Sequence, residues 1–145
     1  MQERLNYAKA APDAVKALFG LYERSGKSGL EHALVELVRL RASQINGCAY
    51  CVDAHGREAR KAGEDERRLS TLITWRETPF FTDRERAALA WTEALTLVAD
   101  THVPDAVWDE VKPYFTPEEL VELTLVVTTI NALNRFAIAF RKLPQ

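Results

Sequence analysis

The stretch Cys48-Ala49-Tyr50-Cys51-Val52-Asp53-Ala54-His55 holds both cysteines of the chain and sets a histidine four residues past the second. Residues three and four apart share one face of a helix, so Cys48, Cys51 and His55 project within an arc of roughly 60°. The thiolate is the reactive form of cysteine, and an unperturbed thiol with a pKa of about 8.5 is mostly protonated at neutral pH. A useful site must therefore lower that pKa or supply a base. Both devices are at hand, and they point to different cysteines. Cys48 stands at a helix start, where unpaired amides and the macrodipole favour an anion. His55 stands one turn past Cys51 and can take its proton. The reading adopted is Cys51 as the attacking thiol and Cys48 as the resolving one, although spacing alone leaves both orders open. Two other uses of these residues compete. Cys48, Cys51 and His55 could ligate zinc with His32 or His102 as a fourth ligand, but structural zinc usually draws on a second, distant cysteine pair that is missing here. The three could also be buried core residues with no chemistry.

The elements that must position this stretch read as helix after helix, with no period-2 strand. The strand-helix-strand setting of a thioredoxin-like pair is therefore absent. Pro12 opens a first helix with Val15, Leu18, Phe19 and Tyr22 on one stripe. It stops at Ser25-Gly26-Lys27-Ser28-Gly29, where the Gly-Lys-Ser fails as a phosphate loop because Leu21 occupies the required first glycine position. A second helix runs from Leu30 to about Ile45, with Leu30, Leu34, Leu37, Val38 and Ile45 on one side, and Asn46-Gly47 ends it. Glu36 lies off that stripe and, on periodicity alone, reads as a surface carboxylate pairing with Arg39. The third helix carries the site from Cys48 to Gly63. A fourth, capped by Asp65, runs through Leu69, Leu72, Ile73 and Trp75 to Pro79. Thr82 with Glu85 and Thr116 with Glu119 form capping boxes for a fifth and a last helix, and a short sixth helix from Pro104 to about Tyr114 lies between them. The last helix, Leu120 to Leu143, is apolar on nearly all sides but is interrupted by Asn131, Asn134 and Arg135, which suits a core helix or a subunit contact better than a membrane span.

At 145 residues the chain suits one domain, 1–145, with the motif core at about 30–80. The net charge of −2 and the pI near 5.9, with acids and bases interspersed, carry no electrostatic footprint for nucleic acid. No apolar leader follows Met1, so a cytoplasmic protein is expected, with no membrane partner. In a reducing compartment a cysteine pair that closes almost no loop is a poor stabilising crosslink. Chemistry is the better reason for it.

Glu36, Cys48 twelve residues on, Cys51 and then His55 resemble the signature of the alkylhydroperoxidase D-like group within the carboxymuconolactone decarboxylase family. Ser43 to Cys48, Ala87 to Thr96 with Trp91, and Ile130 to Arg135 resemble further blocks of that family, so most of the chain beyond residue 30 is covered. The resemblance implies an all-α, single-domain bundle of about six to seven helices and a thiol-dependent peroxidase with catalytic Glu36, Cys48, Cys51 and His55. In the implied cycle one thiolate attacks a hydroperoxide and becomes a sulfenic acid, the other condenses with it to a disulfide, and an external dithiol restores the pair. Glu36 and His55 would form the proton relay. No bound cofactor or metal is implied. A dithiol electron donor, with lipoamide among the candidates, and assembly as a homotrimer or homohexamer are. The best-studied branch carries a second histidine between the cysteines, where this chain has Tyr50. Lactone decarboxylation, and a non-catalytic or metal-binding oligomeric stress protein, are the alternative functions.

Overall fold

A computed structural model describes residues 1–144, and the described residues form nine α-helices and one 3-10 turn with no strand. In chain order these are α1 (Tyr7–Ala10), α2 (Pro12–Ser25), α3 (His32–Asn46), α4 (Ala49–Lys61), α5 (Glu66–Thr71), the 3-10 turn Leu72–Glu77, α6 (Asp83–Thr96), α7 (Val98–Thr101), α8 (Asp105–Val111) and α9 (Pro117–Phe140). Both expected capping boxes form. Thr82 and Glu85 exchange bonds at 3.2 and 2.8 Å ahead of α6, and Thr116 and Glu119 do the same at 3.2 and 2.8 Å ahead of α9.

The fold has more helices than the six to seven expected, because short pieces split off where local chemistry competes with the helix ladder. The helix expected to run from Asp65 to Pro79 ends, as α5, at Thr71, whose hydroxyl bonds back to Arg67 O at 2.6 Å, and Thr74 does the same to Thr71 O at 3.2 Å. Such back-bonding in a β-branched run weakens the helix, and Thr74 leaves it altogether at φ −119°, ψ 30°. α1, capped by Asn6, and α7, after the break at Leu97, are too short to show a hydrophobic period. The helix expected to reach Tyr114 stops at Val111.

The helix at the centre is α3, nine of whose fifteen residues are buried. One of its sides enters a cluster built with Ala87, Ala88 and Trp91 of α6, Val111 of α8, and Leu123, Val126 and Val127 of α9. Another enters a second cluster with Ala59, Leu72, Trp75, Phe81 and Leu89. A helix flanked by two cores has little surface left, which corrects the reading of Glu36 as a surface carboxylate: it pairs with Arg39 as expected, yet it is 1% exposed. By length and composition α9 could cross a membrane; 39% of its most apolar window is buried, and it packs on α2, α3 and α6. Its polar residues are used. Asn131 and Asn134 accept from Asn46 Nδ2 at 2.9 and 2.8 Å, Asn134 Nδ2 donates to Ser43 at 3.0 Å, and Asn131 Nδ2 donates to Thr96 at 3.0 Å. The bonds to Asn46 and Ser43 fasten the C-terminal end of α3, and so the turn into α4, onto α9, and the bond to Thr96 ties α9 to α6.

Candidate active site

The cysteine pair sits where α3 turns into α4. Gly47 ends α3 at φ +69°, a left-handed conformation that glycine adopts without a Cβ penalty, and the Cys48 amide closes back onto Ser43 O at 3.0 Å. Cys48 is then the N-cap of α4, and its Sγ accepts the Cys51 amide at 3.3 Å, in the place a serine or aspartate oxygen usually takes. The i, i+3 spacing brings the two Cα atoms to 5.3 Å, and the sulfurs are joined as a disulfide. Both cysteines are buried, 1% and 4% exposed.

Glu36 on α3 reaches the same place from the opposite helix. Its Oε2 lies 2.8 Å from Nδ1 of His55, and its Oε1 accepts from Arg39 Nη1 at 2.9 Å. An ionised carboxylate only accepts, so the His55 Nδ1 carries a proton and Nε2 is the nitrogen left to exchange one. Burial by itself would push the Glu36 carboxyl up, but its hydrogen bond and electrostatic attraction to His55, together with the Arg39 guanidinium, outweigh that and hold it below the ordinary carboxylate range. Arg39 is anchored in turn by α2. Its Nη2 donates to Ser25 Oγ at 3.0 Å, its Nη1 to the Tyr22 hydroxyl at 3.2 Å, and its guanidinium lies 4.2 Å over the Tyr22 ring. Burial pushes the Tyr22 hydroxyl up, only partly offset by Arg39, so it stays protonated.

A cavity of about 270 Å³ opens onto this cluster. Cys51 and His55 line it together with Tyr22, Tyr50, Ile130 and Leu133, whereas Cys48 does not. The four residues expected from sequence thus meet in one cluster, with Cys51 and His55 facing the cavity and Glu36 and Cys48 behind them. His32 and His102, considered above as extra metal ligands, lie at the start of α3 and the end of α7, away from the cavity lining. Sequence reasoning did not find Tyr22, Ser25 or Lys142, another lining residue. Tyr22 stood on the α2 stripe as a core aromatic, and nothing local marks a lysine near the chain end as part of a site.

An all-helical domain with a buried Cys-x-x-Cys disulfide backed by a carboxylate–imidazole pair defines a class of helical thiol proteins. The chain belongs to the carboxymuconolactone decarboxylase family, whose profile matches residues 12–94. It is 37% identical over 139 residues to the uncharacterized protein YdfG of Bacillus subtilis, covering 96% of this chain and 95% of that one. A solved structure from Agrobacterium tumefaciens, a protein of unknown function provisionally described as the antioxidant defence protein AhpD, superposes with a TM-score of 0.98 at 43% identity, covering 99% of each chain. A shorter match, 40% identical over 48 residues, is to alkyl hydroperoxide reductase AhpD of Bradyrhizobium diazoefficiens, covering 33% of this chain and 26% of that protein.

Proposed function

We propose that the protein is a thiol-dependent peroxidase of the oxidoreductase class, reducing organic hydroperoxides with Cys51 as the attacking thiol and Cys48 as the resolving one. The observation that carries this reading is the placement of Cys51 and His55 on the cavity wall, which Cys48 does not line, because it favours approach of a peroxide to Cys51. His55 Nε2 accepts the Cys51 proton, and the thiolate attacks the terminal peroxide oxygen. The O–O bond breaks, the proton passes from His55 to the leaving alkoxide, and Cys51 becomes a sulfenic acid. Cys48 then displaces water from that sulfur to give the disulfide. An external dithiol attacks Cys51 through the cavity, and Cys48 leaves as a thiolate favoured by the Cys51 amide and the α4 N-terminus. Glu36 orients His55 and stabilises its protonated form. Arg39, anchored by Tyr22 and Ser25, holds Glu36.

Family membership and the name of the AhpD relative support the redox reading, and lactone decarboxylation would leave the cysteine pair without use. A cytoplasmic setting, no bound cofactor or metal, a dithiol donor of the lipoamide kind, and no nucleic-acid or membrane partner complete the proposal. So does a homotrimer or homohexamer, to which the exposed apolar side chains of α8 and α9, Trp108 at 45%, Val121 at 70% and Ile138 at 44%, lend support. The test is steady-state turnover of cumene hydroperoxide with dihydrolipoamide, thioredoxin or glutaredoxin as reductant, together with the Cys48→Ser variant. Turnover with at least one donor and a dimedone adduct on Cys51 of the variant are expected. No turnover with any donor, or an adduct that forms on Cys48 of Cys51→Ser but not on Cys51, would overturn the reading or its order of attack.

A further inference from the structure

The two ends of the chain meet over the cavity. The Arg4 amide donates to Phe140 O at 2.9 Å, and Arg4 Nη1 donates to Ala139 O at 3.0 Å, tying the N-terminal segment to the end of α9. Tyr7 of α1 then packs its ring on Phe136 and Phe140 at 5.6 and 5.4 Å between centroids. α9 ends at Arg141 in the left-handed conformation, φ +53°, and the Lys142 amide turns back to Ala137 O at 2.9 Å. This fold-back brings Lys142 into the cavity wall beside Tyr7 and Tyr50. Its ammonium lies 4.0 Å from the Tyr50 ring centroid and 5.8 Å from that of Tyr7.

Lys142 differs from the other charges of this cavity. Arg57 is paired with Asp53 at 3.1 Å, and Glu58 with Lys61 at 2.7 Å. The partners of Lys142 are tyrosines, and no described carboxylate pairs with it. Burial works against its charge, but the interactions with Tyr50 and Tyr7 outweigh that and hold it above the ordinary lysine range, so it is a cation at neutral pH. A half-buried ammonium that no described carboxylate neutralises favours an anion. The rest of the lining favours an apolar body: Phe19, Tyr22, Tyr50, Ile130 and Leu133 supply flat and branched surface. At about 270 Å³ the space lies just under the range of about 300–1,000 Å³ of pockets that enclose drug-sized ligands, so the body is small, on the scale of one ring.

We propose that Lys142, seated on Tyr50 and Tyr7, is the recognition group of this cavity, and that it takes a small organic anion: a carboxylate carried on a compact apolar or aromatic body. Resting on the peroxidase reading, this names the substrate class as carboxylate-bearing organic hydroperoxides rather than hydrogen peroxide, which would gain nothing from aromatic walls. The chemistry at sulfur is unchanged. The terminal peroxide oxygen passes to Cys51, the alcohol leaves with one proton, and the carboxylate is a handle that is not consumed.

The test uses ligands that cannot react, 4-isopropylbenzoate and its neutral counterpart 4-isopropylbenzamide, titrated calorimetrically into the full chain. A charge-assisted hydrogen bond predicts that the acid binds about tenfold or more tightly than the amide. In Lys142→Met the ratio should fall to about one, whereas Lys142→Arg should keep most of it, with the melting temperature of each variant confirming that it folds. Equal affinities in the wild type, no binding of either ligand, or a preference that survives in Lys142→Met would overturn the proposal. Because neither ligand is a peroxide, this result is independent of turnover: a failed titration leaves the peroxidase reading to the turnover assay, and absent turnover leaves the anion site standing.

Discussion

Replacing Glu36 with glutamine keeps the shape of the side chain and removes the charge that joins α3, α4 and α2. Glu36 is 1% exposed and Arg39 4% exposed, so solvent cannot take over the role of the lost partner. The carboxylate accepts from Arg39 at 2.9 Å and faces His55 Nδ1 at 2.8 Å. A glutamine has one acceptor oxygen and must aim its amide hydrogens at one of these two donors. Arg39 has no reserve, since its Nε is already buried without a partner. Removing one partner of a buried ion pair costs about 3–5 kcal/mol, because the remaining charge is left uncompensated. For a chain of nearly this size each kcal/mol shifts the melting temperature by about 2–4 °C, so Glu36→Gln should melt roughly 6–20 °C below wild type. The double variant Glu36→Gln/Arg39→Met, which removes both charges, should recover part of that loss. The dependence on pH follows from the same charge. A carboxyl held below its ordinary range contributes stability that is present above that range and lost as pH falls through the folded-state value. Wild type should therefore lose stability on the acid side more steeply than Glu36→Gln. Thermal unfolding by circular dichroism, at pH 7 and on the acid side, with both proteins oxidised, measures each quantity. A Glu36→Gln variant that melts within about 1 kcal/mol of wild type would refute the claim that this carboxylate holds the cluster together.

His55→Ala should slow alkylation of the reduced protein at neutral pH by about 100-fold to 10,000-fold, the usual worth of a positioned base, and the loss should shrink as pH approaches the free-thiol value. An unchanged iodoacetamide rate would leave thiol activation to the α4 N-terminus. Combining Glu36→Gln with His55→Ala should cost little more reactivity than His55→Ala alone, and additive losses would place Glu36 in some other role. Asn134→Ala removes bonds to Ser43 and Asn46 from a fully buried position and should cost about 1–3 kcal/mol in urea unfolding, where a change below about 0.5 kcal/mol would contradict the anchoring role given to it. Sedimentation at micromolar concentration should show a species at three or six times the 16.4 kDa chain mass, and a 16.4 kDa monomer alone would contradict the proposed assembly.

What the sequence disclosed about the site was its local part. Cys48, Cys51 and His55 lie within two helical turns, so their common face follows from the helix period, and the helix start at Cys48 follows from Asn46-Gly47 before it. The capping boxes at Thr82 and Thr116 were readable for the same reason: all their bonds close within four residues. Glu36 was not readable from periodicity. Its place depends on α3 being packed from two sides, a tertiary fact, and only the family resemblance moved it toward the thiols. Tyr22 and Ser25 touch Arg39 across 17 and 14 residues, and Lys142 meets Tyr50 through the turn that ends α9. No local pattern encodes such contacts. The interruptions at Asn131 and Asn134 were visible, but their purpose needed Asn46 and Ser43 to be seen opposite them.

The central claim, that Cys51 and Cys48 together reduce a hydroperoxide, is tested most directly by a single turnover without any reductant. Fully reduced protein mixed with an excess of cumene hydroperoxide should form one equivalent of the alcohol per chain, and the peptide containing Cys48 and Cys51 should lose two hydrogens. Chains that keep both free thiols and form no alcohol, or that consume peroxide equally well as Cys51→Ser, would contradict it.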